Sequence, residues 1–147
     1  HRLAEVLLTE VIGLPLDLVH EEACRWEHVI SDAVETRLVA MLDAPTLSPY
    51  GNPIPQEKSV RPTSAIDLGI LTLPDALTDE EPASVVLERI SETVQTDHTL
   101  IAELAAAAIG PGSTLTAQRV GRRFRLEASG ECWVTQEAAP HLFVRRV

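Results

Sequence analysis

The sequence predicts an α+β protein, with a helical part followed by a small β-barrel. Three observations predict this class: apolar residues at helical spacing before residue 43, a proline-rich stretch from Ala44 to Thr63, and short alternating segments with glycine at the turns after it. The 147 residues, 45% hydrophobic and 23% charged, suffice for one ordinary domain or two small ones. We expect a helical domain over residues 1-52, a linker over 53-64 and a β-rich domain over 65-147.

The first part contains three helical patterns. Apolar residues recur every three or four positions, which predicts helices over Leu3 to Ile12, Leu16 to Ile30 and Ala33 to Leu42. Glycine and proline between the first two segments end the first helix. Asp32, with Glu35 three positions later, has the spacing of a capping box and is expected to begin the third helix.

The second part alternates short β patterns with turns. Asp75 to Glu81 is predicted as an acidic turn after the first strand, and Asp97 is expected to cap a helix over Thr99 to Ala108. The predicted strands cover Ile66 to Leu73, Val85 to Ile90, Thr114 to Val120, Arg123 to Ala128, Glu131 to Thr135 and Leu142 to Val147.

Charge and composition exclude several classes of function. Twelve basic against 22 acidic residues give a net charge of -10, which disfavours binding of a phosphate backbone by this chain. No apolar run is long enough for a membrane helix, so no membrane partner is expected. The two cysteines lie far apart in unlike contexts, which predicts free thiols and a cytoplasmic location. The chain begins at His1 without a signal peptide, and we expect it to be part of a longer protein.

Four side chains of ligand type share one face of the second predicted helix. Relative to His20, the residues Cys24, Glu27 and His28 follow at offsets of four, seven and eight positions. Imidazole, thiolate and carboxylate groups on one face indicate a transition-metal surface. The alternative is that His20 and Glu27 are solvated surface residues, while Cys24 and His28 pack in the core.

These residues lie in a segment that resembles a known family. His1 and Glu5 form a further pair of ligand type, four positions apart. The chain resembles the diphtheria toxin repressor and iron-dependent regulator family over residues 1-55, in the segment HRLAEVLLTEVIGLPLDLVHEEACRWEHVISDAVETRL and in SPYGNPIP after it. The remainder resembles more weakly that family's SH3-like, or FeoA-like, domain. The resemblance implies a homodimeric, metal-activated repressor. It would bind operator DNA through an N-terminal winged helix-turn-helix domain that is absent here.

The resemblance also implies two metal sites and an anion site. A primary site would use Cys24, Glu27 and His28, with a methionine outside this chain. An anion would be held by Arg2, Ser48 and Asn52. The ligands of an ancillary site would be His1, Glu5, His20, Glu92 and Gln95.

The thiolate at Cys24 favours iron(II) as the effector, because a carboxylate at this position would suit manganese better. Cobalt(II), nickel(II), zinc(II) and manganese(II) are expected substitutes for Fe2+. A metal-dependent hydrolase is an alternative, although no HExxH pattern or nucleophile elbow occurs, so we expect no enzyme. A stand-alone SH3-like module that binds a partner and contains a structural metal is another.

Overall fold

A computed structural model describes residues 1–55 and 69–147, here called the helical half and the sheet half. The helical half confirms the three predicted helices: α1 is Arg2–Leu7, α2 is Leu16–Trp26 and α3 is Asp32–Met41. A π-helical turn, Leu8–Ile12, continues α1. It ends at Gly13, whose φ of 76° is a left-handed conformation that glycine adopts without strain.

Two helix ends differ from the sequence-based expectation. Helix α2 ends at Trp26, four residues before the predicted Ile30, so Glu27 is the C-cap and His28 lies in the turn beyond it. The prediction of a capping box at Asp32 and Glu35 is wrong, because Asp32 is already the first helical residue. The N-cap of α3 is Ser31, whose side-chain oxygen accepts a hydrogen bond from the backbone nitrogen of Val34 at 3.3 Å.

The sheet half contains six antiparallel strands, which together with the helices confirm the α+β class. The spatial order is β1-β6-β2-β3-β4-β5. The strands are β1 Ile70–Thr72, β2 Ala83–Ile90, β3 Thr114–Val120, β4 Arg123–Glu127, β5 Glu131–Val134 and β6 Leu142–Arg146. Three short helices, α4 Leu73–Ala76, α5 Glu92–Gln95 and α6 His98–Ala106, and a 3-10 turn, Ala139–His141, complete this half. None of the helices in the described residues has the length and hydrophobicity needed to span a membrane.

The ends of these elements follow from local chemistry. The side chain of Asp97 accepts a hydrogen bond from Leu100 N at 3.1 Å, which confirms the predicted cap of α6. Helix α4 begins directly after β1 because the hydroxyl of Thr72 accepts from Asp75 N. The acidic turn predicted from Asp75 is therefore partly helical. Residues 66–68 of the first predicted strand lie outside the described residues.

One loop joins the two halves. Tyr50 is fully buried, and its hydroxyl donates a hydrogen bond to the carbonyl of Leu16 at the start of α2, at 2.7 Å. Its own carbonyl accepts from the backbone nitrogen of Ile90 at the end of β2, at 2.8 Å. The next residue, Gly51, has a φ of 82°, and a Cβ there would lie 2.0 Å from the carbonyl oxygen of Glu88. The loop therefore fastens α2 to β2 at close range.

Candidate metal centre

Helices α1 and α2 bring three of the predicted ligands together. His1 and Glu5 are one helical turn apart, and Nε2 of His1 lies 2.8 Å from Oε1 of Glu5. Nδ1 of His20, on α2, lies 3.9 Å from the same carboxylate oxygen. All three side chains are largely buried, at 16%, 1% and 12% exposure. Glu5 thus lies beside one nitrogen of each of the two imidazoles.

The other nitrogen of each imidazole faces Cys24. Its Sγ lies 3.5 Å from Nε2 of His20 and 3.8 Å from Nδ1 of His1. Oε2 of Glu27 also approaches Nδ1 of His1, at 3.3 Å. The two rings are 5.1 Å apart at an interplanar angle of 59°. The cluster therefore has two sides, which we call the Glu5 side and the Cys24 side.

Gln95 reaches the Glu5 side from α5 of the sheet half. Its Nε2 donates to the carbonyl oxygen of Ile90 at 3.0 Å, and its Oε1 lies 2.8 Å from Nδ1 of His20. A carbonyl can only accept hydrogen bonds, so the amide nitrogen must face Ile90 and the amide oxygen must face the imidazole. Gln95 is 1% exposed. A buried oxygen atom that could bind a metal is thereby fixed at the junction between the halves.

Burial leaves Glu5 without adequate partners. Neither carboxylate oxygen has a hydrogen bond, and neither does Nε2 of His1, because the short contact between them lacks hydrogen-bond geometry. Burial, with a further contribution from the negative charge of Glu92, raises the pKa of Glu5 to about 7, and the positive charge of Arg2 opposes this shift. A buried carboxylate without a partner is costly. A cation would satisfy it.

The two sides of the cluster differ in how well their groups could bind a divalent ion. Among the described residues, the group of three whose donor atoms lie within 4.8 Å of one another is His1, His20 and Cys24. On that side, burial and the charge of Glu27 raise the pKa of the Cys24 thiol, so the thiolate that binds metals is disfavoured. The Glu5 side has the shorter contacts and the unpartnered carboxylate. We therefore favour the Glu5 side as the position for a divalent ion.

Of the predicted ligands, Glu92 and His28 lie away from this cluster, and Glu27 lies at its exposed edge. Glu92, in the first turn of α5, is 56% exposed and places Oε1 3.5 Å from a guanidinium nitrogen of Arg2. His28 is exposed in the turn after α2, and Glu27 is 47% exposed. The assignments of Glu92 and of the set Cys24, Glu27 and His28 therefore stay predictions.

The polar groups of the predicted anion site are engaged within the fold. Arg2 Nη1 donates to the carbonyl oxygen of Pro53. The hydroxyl oxygen of Ser48 accepts from Tyr50 N at 3.3 Å and from Asn52 N at 3.2 Å. The side-chain amide of Asn52 donates to Ile90 O at 2.8 Å. The anion assignment also stays a prediction.

Two features of the junction had no clear signal in the sequence. The carbonyl of Ile90 accepts from both Asn52 and Gln95, and a backbone acceptor cannot be identified from residue types. His98 has no partner at ligand spacing, yet its Nε2 lies 2.9 Å from Oε1 of Glu21, a contact between α6 and α2. The helical pattern does place Glu21 beside His20, but it does not indicate what α2 packs against.

Comparisons with known proteins identify the family of this chain. Residues 1–56 match the family model for the iron dependent repressor, metal binding and dimerisation domain. The chain is 48% identical over 120 residues to the iron-dependent repressor IdeR of Mycobacterium bovis, which covers 80% of this chain and 52% of that protein. The chain belongs to the iron-dependent repressor family. The diphtheria toxin repressor of Corynebacterium diphtheriae is 46% identical over 115 residues, 77% of this chain and 50% of that protein.

Two solved structures of metal-dependent regulators have a similar fold. The crystal structure of T. acidophilum IdeR matches with a TM-score of 0.77 at 25% identity, and the match covers 100% of this chain and 64% of that one. A manganese-dependent transcriptional repressor has a TM-score of 0.80 at 26% identity, with 100% of this chain and 77% of its own covered. The chain spans about half the length of the curated relatives it matches.

Proposed function

We propose that this chain is the metal-sensing and dimerisation part of an iron(II)-dependent repressor that binds DNA. The observation that carries the proposal is Glu5, buried with no hydrogen-bond partner between the imidazoles of His1 and His20. A divalent cation there would offset the carboxylate charge and use the imidazole lone pairs. The named relatives are repressors, iron-dependent in one case and manganese-dependent in another.

The ancillary site would connect three elements. His1 is the N-cap of α1 and Glu5 lies within that helix, while His20 lies on α2 and Gln95 on α5. Their nitrogens and oxygens suit iron(II), and also cobalt(II), nickel(II), zinc(II) and manganese(II). Glu92, the fifth predicted ligand, would have to leave Arg2 to join them. The bound metal would supply the positive charge that links the helical half to the sheet half.

The remaining predicted sites complete the proposal. Cys24, Glu27 and His28 would form the primary site, together with a ligand from outside this chain. Its soft sulfur favours iron(II) over manganese(II). An oxyanion beside the ancillary metal would contact Arg2, Ser48 and Asn52, after these groups exchange some of their present hydrogen bonds.

The exposure of α3 supports dimerisation through the helical half. Of its ten residues only Leu38 is buried, while Val34, Val39 and Met41 are 49%, 37% and 58% exposed. A helix that buries one side chain in its own chain gains little from packing, and exposed apolar residues are typical of an interface. A second copy of the chain would cover this helix, in agreement with the dimerisation function named in the matching family model.

Regulation would act through the whole protein. A net charge of -10 makes this chain unsuited to contact a phosphate backbone, so DNA binding is assigned to a separate domain of the longer protein in the cytoplasm. Metal would favour the dimer geometry that fits two operator half-sites. Coupling free energies of this kind are about 1–3 kcal/mol, and they are reciprocal between metal and DNA.

Calorimetric titration with manganese(II) tests the proposal. We expect one strong site per chain in the unmodified protein, and loss of that site in Glu5→Gln, which keeps the size of the side chain and removes its charge. The matched control is Glu10→Gln, an exposed acid on the same helical stretch, and it should bind as the unmodified chain does. Equal affinities for all three proteins would contradict the proposed site.

A further inference from the structure

The two imidazoles of the cluster are held between two sets of acceptors. On the Glu5 side, Nε2 of His1 and Nδ1 of His20 lie near Glu5 and Gln95. On the opposite side, the outward nitrogens of both rings converge on one atom, Sγ of Cys24, at 3.8 and 3.5 Å. The Cys24 side chain therefore contacts both rings on the side opposite Glu5.

The chemistry of imidazole gives these contacts a consequence. A neutral ring that offers a lone pair to a metal through one nitrogen carries its proton on the other. If the metal lies on the Glu5 side, the protons are on Nδ1 of His1 and Nε2 of His20. Both N–H groups then point at Cys24, whose sulfur can accept from them. Glu27 Oε2, 3.3 Å from Nδ1 of His1, is a second acceptor.

The position of Gln95 indicates that the His20 ring has a different tautomer when no metal is bound. Because its Oε1 can only accept, Nδ1 of His20 carries the proton when no metal is bound. Metal on the Glu5 side requires the other tautomer: the ring loses the proton at Nδ1 and gains one at Nε2, with no change in its charge. The new N–H needs an acceptor, and Sγ of Cys24 is 3.5 Å away.

We propose that Cys24 is a positioning residue for the metal on the Glu5 side, because its sulfur accepts hydrogen bonds from the outer nitrogens of His1 and His20. This inference rests on the proposed function and adds a role for Cys24 besides that of a ligand in the primary site. Acceptors behind metal-bound histidines fix the tautomer and the ring orientation. The two metal sites are thereby coupled. A metal that binds Cys24 in the primary site would change the hydrogen-bond acceptor of His1 and His20, which are ligands of the ancillary site.

The test uses manganese(II), a hard ion that avoids thiolate ligands, so that Cys24 is not itself bound. Titrations would compare the unmodified chain with Cys24→Ala, Cys24→Ser and, as the matched control, Cys132→Ala, which removes the buried thiol of β5. We expect about tenfold or more weaker binding in Cys24→Ala, partial recovery in Cys24→Ser because a hydroxyl can accept, and unchanged affinity in Cys132→Ala.

A spectroscopic readout separates positioning from a general structural effect. In Cys24→Ser loaded with zinc(II), a diamagnetic ion, no thiolate can bind the metal, and nitrogen-15 correlated NMR should detect a proton on Nε2 of His20. Cys24→Ala, which lacks the acceptor, should increase the exchange rate of this proton with solvent. Equal manganese(II) affinities of the unmodified chain and Cys24→Ala would overturn the inference and leave the proposed site intact. Absence of manganese(II) binding in the unmodified chain would overturn both.

Discussion

The helical half and the sheet half differ in how much of their apolar surface they bury. The sheet half contributes 22 buried hydrophobic residues to the core and exposes three large ones. The helical half contributes eight and exposes eight large ones. Most buried residues of both halves form one continuous cluster, in which Ala4, Val19 and Tyr50 join the residues of the sheet half.

This difference indicates what each half depends on. The sheet half supplies most of the shared core and has six paired strands, so most of the stabilising apolar burial lies there. The helical half buries fewer apolar residues and packs against the sheet half, and the surfaces proposed for metal binding and dimerisation lie in it. A region that must respond to a ligand is expected to have lower stability than its support.

The largest effect is expected where the halves touch. Gly51→Ala would place a Cβ 2.0 Å from the carbonyl of Glu88 and force a positive φ on alanine, which should lower the free energy of unfolding by about 3 kcal/mol or more. Gly13→Ala is the matched control, since Gly13 also has a positive φ but nothing within 4 Å of an added Cβ. It should cost about 1–2 kcal/mol. Equal losses in urea unfolding would show that the close approach does not matter.

Neutralising Glu5 should instead raise the free energy of unfolding. Without metal at pH 8, Glu5→Gln should raise the free energy of unfolding by about 1–3 kcal/mol, because it removes an unpartnered buried carboxylate. The gain should disappear near pH 4. The pKa of Glu5 is raised to about 7, so the metal-free chain loses stability as pH rises from about 4.5 to about 7. Thermal unfolding at both pH values checks this, and a destabilised variant at pH 8 would count against the account.

The exposed face of α3 should matter for assembly. Val34→Asp introduces a charge on a side chain that is 49% exposed in one chain, and we expect it to weaken dimerisation by about tenfold or more, equivalent to about 1.4 kcal/mol. Val120→Asp, at a site 42% exposed in the sheet half, is the matched control and should leave the dimer unchanged. Sedimentation velocity over a range of concentrations measures both. A dimer resistant to the α3 change would place the interface elsewhere.

The smallest effect concerns the two thiols. Cys24 is partly exposed, whereas Cys132 is 2% exposed and burial raises its pKa to about 11. We expect a thiol reagent at pH 8 to modify one cysteine per folded chain, Cys24, and both after unfolding. Mass spectrometry of digested protein identifies the modified residue. Rapid modification of Cys132 in the folded chain would indicate that the sheet half opens more readily than its core suggests.

The sequence was sufficient for the elements with strong local signals. The periodicity of α1 and α2 and the turns around β3 to β5 predict those elements, and the spacing of His1 and Glu5 predicts their contact. The end of α2 was not predictable, because the apolar pattern continues through Ile30 beyond the last helical residue. Nor was the position of Gln95, because it depends on how the loop containing Tyr50 packs α2 against β2.

The central claim is that the first metal binds on the Glu5 side of the imidazole pair. X-ray absorption at the cobalt edge, with one equivalent of cobalt(II) per chain, distinguishes the two sides directly. We expect only nitrogen and oxygen neighbours, from His1, Glu5, His20 and Gln95, and loss of the bound-metal spectrum in Glu5→Gln. A sulfur neighbour at one equivalent, retained in Glu5→Gln and lost in Cys24→Ala, would place the metal on the Cys24 side and contradict the account.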